Sequence, residues 1–84
     1  AERVAAEVRA KGGDCLAVRV DVGDMTSVEG MVSSTMDRYG RVDVLVNNAA
    51  IFATLKMRPF DEIPLDEWNR VLHVNVSGCF YCTR

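Results

Sequence analysis

Residues 42–46, Val-Asp-Val-Leu-Val, run directly into Asn47-Asn48-Ala49-Ala50, and this junction constrains the fold more than any other feature of the chain. Apart from Asp43 the run does not alternate, which predicts a strand buried on both sides, as strands of parallel sheets are. Two amides followed by two minimal side chains describe the mouth of such a sheet. Bulk stops there, so a flat ligand can approach the backbone. In open α/β sheets ligands bind just outside the carboxyl ends of the strands.

The neighbouring sequence supplies the rest of a parallel α/β pattern. Residues 2–11 place Val4, Ala5 and Val8 on one side and charges elsewhere, the pattern of an amphipathic helix, and Gly12-Gly13 ends it. Residues 15–20 alternate Leu16, Val18 and Val20 against Cys15, Ala17 and Arg19, which predicts an incompletely covered strand at a sheet edge. Asp21-Val22-Gly23-Asp24 is then a turn. A second helix starts near Thr26, where Thr26 and Glu29 could form a capping box or Asp24 could cap instead. Val28, Met31, Val32, Met36 and Tyr39 share one face of it, and Gly40 closes it. Residues 51–63 are irregular, with Pro59 and Pro64 limiting regular structure. From Leu65 a long helix follows, with Asp66 and Glu67 in its first turn, where carboxylates complement the dipole. Strand, helix, strand, with the second strand the more buried, is the grammar of a parallel α/β sheet.

Composition narrows the function. The net charge is −2 and the ten Lys and Arg are scattered, so no concentrated basic face is available for nucleic acid or an anionic membrane. No apolar run approaches the roughly 18 residues needed to span a bilayer. The N-terminus is already helical and charged, unlike a signal peptide, and starts at Ala1 rather than Met, so the chain is expected to be an excerpt. Three cysteines, an odd number, do not form a disulfide framework and fit a cytoplasmic location. Cys79-Phe80-Tyr81-Cys82 matches the C-x-x-C pattern, but a redox pair relies on a helix N-terminus to favour its thiolate. This pair falls deep in an expected helix, and a zinc site would need two further ligands. Cysteines packed on a helix flank are the better reading.

One polar residue breaks an apolar face. Asn75 lies among Trp68, Val71, Leu72, Gly78, Cys79 and Cys82 on one flank of the last helix. Burying its amide unpaired would cost on the order of 1–3 kcal/mol, so a partner is required. Taken alone, it reads as a tie to a neighbouring carbonyl or a buried water. Gly78, one turn later, weakens the helix by about 1 kcal/mol relative to Ala, and implies a local bend or the close approach of another backbone.

Asp21-Val22, Asn47-Asn48-Ala49-Ala50 and Asn75-Val76-Ser77-Gly78, in this order and spacing, resemble the short-chain dehydrogenase/reductase family in its non-extended branch. The resemblance covers essentially the whole chain. It implies an α/β fold, part of a Rossmann-type doubly wound parallel sheet in three α/β/α layers, with residues 1–84 an internal fragment of one NAD(P)-binding domain. The glycine-rich phosphate turn is then expected before Ala1, and the catalytic Ser and the Tyr-x-x-x-Lys pair after Arg84. Strand order 3-2-1-4 implies that the two strands present are not neighbours, and that the isolated residues fold poorly and are inactive.

The resemblance also implies site roles. Asp21 would accept a hydrogen bond from the adenine amine of NAD or NADP, with the Val22 backbone beside the ring; the alternative is that Asp21 caps a turn. Asn47 would bond neighbouring backbone and steady the sheet. Asn48, Ala49 and Ala50 would line the cofactor near its ribose and nicotinamide. The family more often has Gly where Ala50 stands, and the extra methyl narrows that approach. Asn75 corresponds to the family's fourth catalytic member, which bends the helix and holds a water connecting the active-site Lys to solvent. Val74 would face the cofactor, whereas His73 reads as a partly exposed side chain rather than a ligand. The implied activity is hydride transfer between nicotinamide and a small carbonyl or alcohol substrate, with a non-catalytic nucleotide-binding relative as the alternative. Ile51 and Phe52 leave the cofactor end of the strand and hint at an apolar substrate. The last helix resembles the element these enzymes use to form homodimers and tetramers.

Overall fold

The computed structural model describes all 84 residues. Helix α1 spans Glu2–Ala10, α2 Met25–Tyr39, α3 Leu65–Leu72 and α4 Gly78–Thr83, with a 3-10 turn at Phe60–Glu62 and a π-helical turn at His73–Ser77 joining α3 to α4. Helix limits follow local chemistry. Gly12 leaves α1 at φ 86°, and Gly40 closes α2 at φ 75° with its N–H bonded to the Met36 carbonyl. Asp24, not Thr26, caps α2: its side chain accepts from the Thr26 N–H at 3.0 Å. Pro64 starts α3 with no side-chain cap, and Asp66 and Glu67 occupy the first turn.

Residues 15–20 and 42–50 are extended but unpaired. Of the 43 backbone hydrogen bonds, 30 lie within helices and the other 13 in turns and caps, so none joins the two segments. This agrees with the expectation that they are not sheet neighbours. The expectation that residues 42–46 are buried on both sides does not hold within this chain. Val44 and Val46 are 79% and 78% exposed, because no element of these residues covers either face.

Packing is correspondingly sparse. Ala5, Val28 and Gly78 are the buried residues. The expected apolar face of α2 is closed only near its start. Val28 is buried and Met31 half-buried, while Val32, Met36 and Tyr39 are exposed. The radius of gyration is 15.8 Å, against about 12 Å for a compact chain of this length. Helix α2 packs on α4, and this contact frames the site. No helix is long and apolar enough to cross a membrane.

Candidate functional site

The last helix is continuous but changes pitch. At His73–Ser77 the backbone widens to a π turn, whose closing Gly78 N–H bonds to the His73 carbonyl. Such single π turns inside α-helices recur at functional sites. The extra residue rotates α4 relative to α3, so the expected common flank divides. Trp68 and Leu72 are exposed, whereas Asn75, Cys79 and Cys82 are half-buried and Gly78 is buried. The pattern of this segment is ordinary for an α-helix; Asn75 on an apolar face and Gly78 one turn later marked the place.

Asn75 spends its side chain on one residue. Its Oδ1 accepts from the Ile51 N–H at 2.7 Å, and its Nδ2 donates to the Ile51 carbonyl at 3.1 Å. The amide thus pairs with Ile51 as a neighbouring strand would, and satisfies two backbone groups that have no ladder partner. This fixes the chain directly after Asn48-Ala49-Ala50 against the π turn. The Asn75 backbone carbonyl accepts from Cys79 Sγ at 3.4 Å, which gives that thiol a local structural task. All three cysteines are free.

A groove of about 210 Å³ runs between the two extended segments. Val20 and Val22 form one wall, residues 45–49 the other, and Gly78, Cys79 and Cys82 the floor. Gly78 permits this approach: a Cβ there would lie 2.9 Å from Val22 Cγ2 and 3.3 Å from the Val22 carbonyl oxygen. The expected close approach is therefore present, and its partner is Val22. Asn47, expected to bond backbone, instead donates from Nδ2 to the Thr83 hydroxyl at 3.2 Å and ties the second segment to the end of α4. Asn48, Ala49 and Ala50 are exposed at the tip. Val74 is half-buried in the π turn and does not line the groove.

Asp21 stands at the opposite tip. Its Oδ1 accepts from the Gly23 N–H at 2.9 Å, its own N–H donates to Ser27 Oγ at 2.9 Å, and its carbonyl accepts from the Asp24 N–H at 3.0 Å. The turn-capping role is thus real, yet it occupies a single carboxylate oxygen, and Oδ2 keeps no protein partner. His73, read from sequence as a partly exposed side chain rather than a ligand, is exposed and donates from Nε2 to the Gly23 carbonyl. Beyond the strand tip, Phe52, Leu55, Met57, Ile63, Trp68 and Val71 line an apolar groove of about 550 Å³. Arg58 and Glu67 pair at 3.7 Å on its rim.

This geometry has close parallels. The short chain dehydrogenase family matches residues 1–84. An uncharacterized oxidoreductase of Thermotoga maritima is 46% identical over 77 residues, which is 92% of this chain and 29% of that protein. The structure of 3-ketoacyl-(acyl-carrier-protein) reductase from Brucella melitensis, complexed with NADH, is 38% identical with a TM-score of 0.88, over 100% of this chain and 32% of that one. A short chain dehydrogenase from Burkholderia cenocepacia, in complex with NADP, is 30% identical with a TM-score of 0.86, over 98% and 32%. The chain spans about a third of the length of the curated relatives it matches. Its backbone path is that of a doubly wound parallel α/β domain, although no strand pairing occurs within it.

Proposed function

Because the chain belongs to the short-chain dehydrogenase family, we propose that it forms one side of an NAD(P) crevice in an enzyme that moves hydride between nicotinamide and a carbonyl or alcohol carbon. The observation that carries this reading is the two-point hold of Asn75 on Ile51. It fixes a strand tip of minimal side chains beside a π turn, at the place where an open α/β sheet takes its ligand.

The residues fit a dinucleotide. Asp21 Oδ2 is free to accept from a purine amine, with Val22 beside the ring. Asn48, Ala49 and Ala50 are exposed where the ribose and nicotinamide would lie. The groove between Val22 and Asn48 is the space that strand order 3-2-1-4 assigns to two further strands, so the dinucleotide crosses its end rather than filling it. When bound, the cofactor supplies the hydride chemistry. This chain supplies position. An Asn amide offers two donor hydrogens and two acceptor sites. Ile51 uses one of each, so the rest can hold a water in the proton path attributed to Asn75. Val74, one residue before it, is half-buried in the same π turn.

The apolar groove behind Phe52 supports a substrate with an apolar body. Trp68, Leu72, Val76 and Phe80 are 54%, 42%, 62% and 63% exposed, which supports α3 and α4 as a surface for homo-oligomer contacts. The two unpaired extended segments support the reading that the 84 residues alone are inactive.

The complete protein tests the reading. Titration with NAD and NADP should show saturable binding of at least one, and reduced nicotinamide should be consumed with one member of a carbonyl panel. Binding without turnover would favour the non-catalytic alternative. Absence of binding would overturn both.

A further inference from the structure

The turn carrying Asp21 and the π turn carrying Asn75 are far apart in sequence, and one side chain joins them. His73 Nε2 bonds the Gly23 carbonyl across 50 residues. A carbonyl only accepts, so the ring nitrogen is the donor. The contact is shaped from both sides. A Cβ on Gly23 would lie 2.9 Å from His73 Cδ2 and 3.3 Å from both Nε2 and Asp21 Oδ1, so the missing side chain lets the ring and the carboxylate both close on this residue. Tyr81 stands edge-on to the imidazole, with centroids 6.0 Å apart and planes at 73°, and limits the ring's swing.

Gly23 is thereby held at both ends. Its carbonyl is bonded to His73, and its N–H donates to Asp21 Oδ1 at 2.9 Å. The carbonyl that His73 holds shares its peptide plane with the Asp24 N–H, which donates to the Asp21 carbonyl at 3.0 Å. Fixing that plane holds the turn closed around Asp21, and with it the direction of the unpartnered Oδ2.

We propose that His73 is a positioning residue for dinucleotide binding: it anchors the Asp21–Gly23 turn to the helix bearing Asn75 and so aligns the Asp21 carboxylate for the purine amine. This rests on the NAD(P) crevice proposed for the complete protein. His73 itself touches no part of the nucleotide. Its effect falls on the adenosine half of the ligand and leaves the nicotinamide half alone.

The test uses the complete protein and its His73→Ala and His73→Gln variants. Gln can present an amide N–H close to where Nε2 stands. Binding is measured for NAD, for ADP-ribose and for nicotinamide mononucleotide. His73→Ala should weaken NAD and ADP-ribose about five- to tenfold, the worth of one hydrogen bond. Nicotinamide mononucleotide should bind as before, and His73→Gln should recover most of the loss. In turnover, KM for the cofactor should rise while kcat stays within about twofold. If His73→Ala does not fold, His73→Phe keeps a ring beside Tyr81 without the N–H donor and should give the same selective loss. Unchanged ADP-ribose affinity, equal losses in both halves, or no recovery with Gln would overturn the proposal while leaving the crevice intact. Failure of the unaltered protein to bind any of the three ligands would overturn the crevice as well.

Discussion

Residues 15–20 and 42–46 are the two apolar extended segments, and their surroundings invert the ranking their composition suggests. Cys15, Ala17, Val18 and Val20 are half-buried although Arg19 interrupts the run. The more uniformly apolar Val42, Val44, Leu45 and Val46 are 54%, 79%, 46% and 78% exposed. The first segment is held at its start by the two helices on either side of it in the chain, α1 and α2. Arg9 donates twice to the Cys15 carbonyl, at 3.2 and 2.7 Å, and Arg38 pairs with Asp14 at 2.7 Å. The second has a local Arg41–Asp43 pair at 2.7 Å and is otherwise tied only beyond its C-terminal end, at Asn47 and Ile51. Apolar content reports the cover a strand receives in its complete sheet. Exposure within one stretch of chain reports how much of that cover is local.

The largest test of this contrast compares the 84 residues with the complete protein. In isolation they should melt without a cooperative transition, and amides 42–46 should exchange with solvent almost unprotected. In the complete protein the same amides should be among the slowest, as core strands are. Protection of 42–46 in the isolated residues would break the contrast.

Smaller effects sharpen it. Gly78→Val in the complete protein should cost about 3 kcal/mol in urea-unfolding stability, because its side chain enters the space of Val22. Val22→Ala in the same background should restore part of that loss, and additive losses would place the strain elsewhere. Asn75→Ala should cost about 2 kcal/mol by leaving the Ile51 N–H and carbonyl unpaired. Asn75→Asp should fall between, since a carboxylate accepts from the Ile51 N–H but cannot donate to its carbonyl. Equal losses for the two variants would show that only the bond to the Ile51 carbonyl matters.

Much of the architecture was legible in residue types, because helix limits are local chemistry. Gly12, Gly40 and Pro64 mark ends that the structure keeps. Between two possible caps of α2, Asp24 prevails through its 3.0 Å bond to Thr26 N. The demand that Asn75 find a partner was also legible, since a buried amide is costly. The identity of that partner was not, because Ile51 meets it through backbone atoms that every residue possesses. The same reason hid His73, whose acceptor is the carbonyl of Gly23. A backbone partner 50 residues away leaves no trace in side-chain pattern, beyond the missing side chain of Gly23 itself. A bend near Asn75 and Gly78 was expected, but its form as a π turn was not legible, because nothing in the residue types of His73–Ser77 selects that pitch. Of the site, the family pattern singled out the tips at Asp21 and at Asn48, Ala49 and Ala50; the ties holding those tips had to be seen in three dimensions.

The most direct measurement is a crystal structure of the complete protein soaked with NAD or NADP. The purine should lie within hydrogen-bond reach of Asp21 Oδ2, with the nicotinamide beside Ala49 and Ala50. A nucleotide bound elsewhere, or an Asp21 carboxylate turned wholly into its own turn while the purine contacts other residues, would contradict the assignment of these tips to the cofactor.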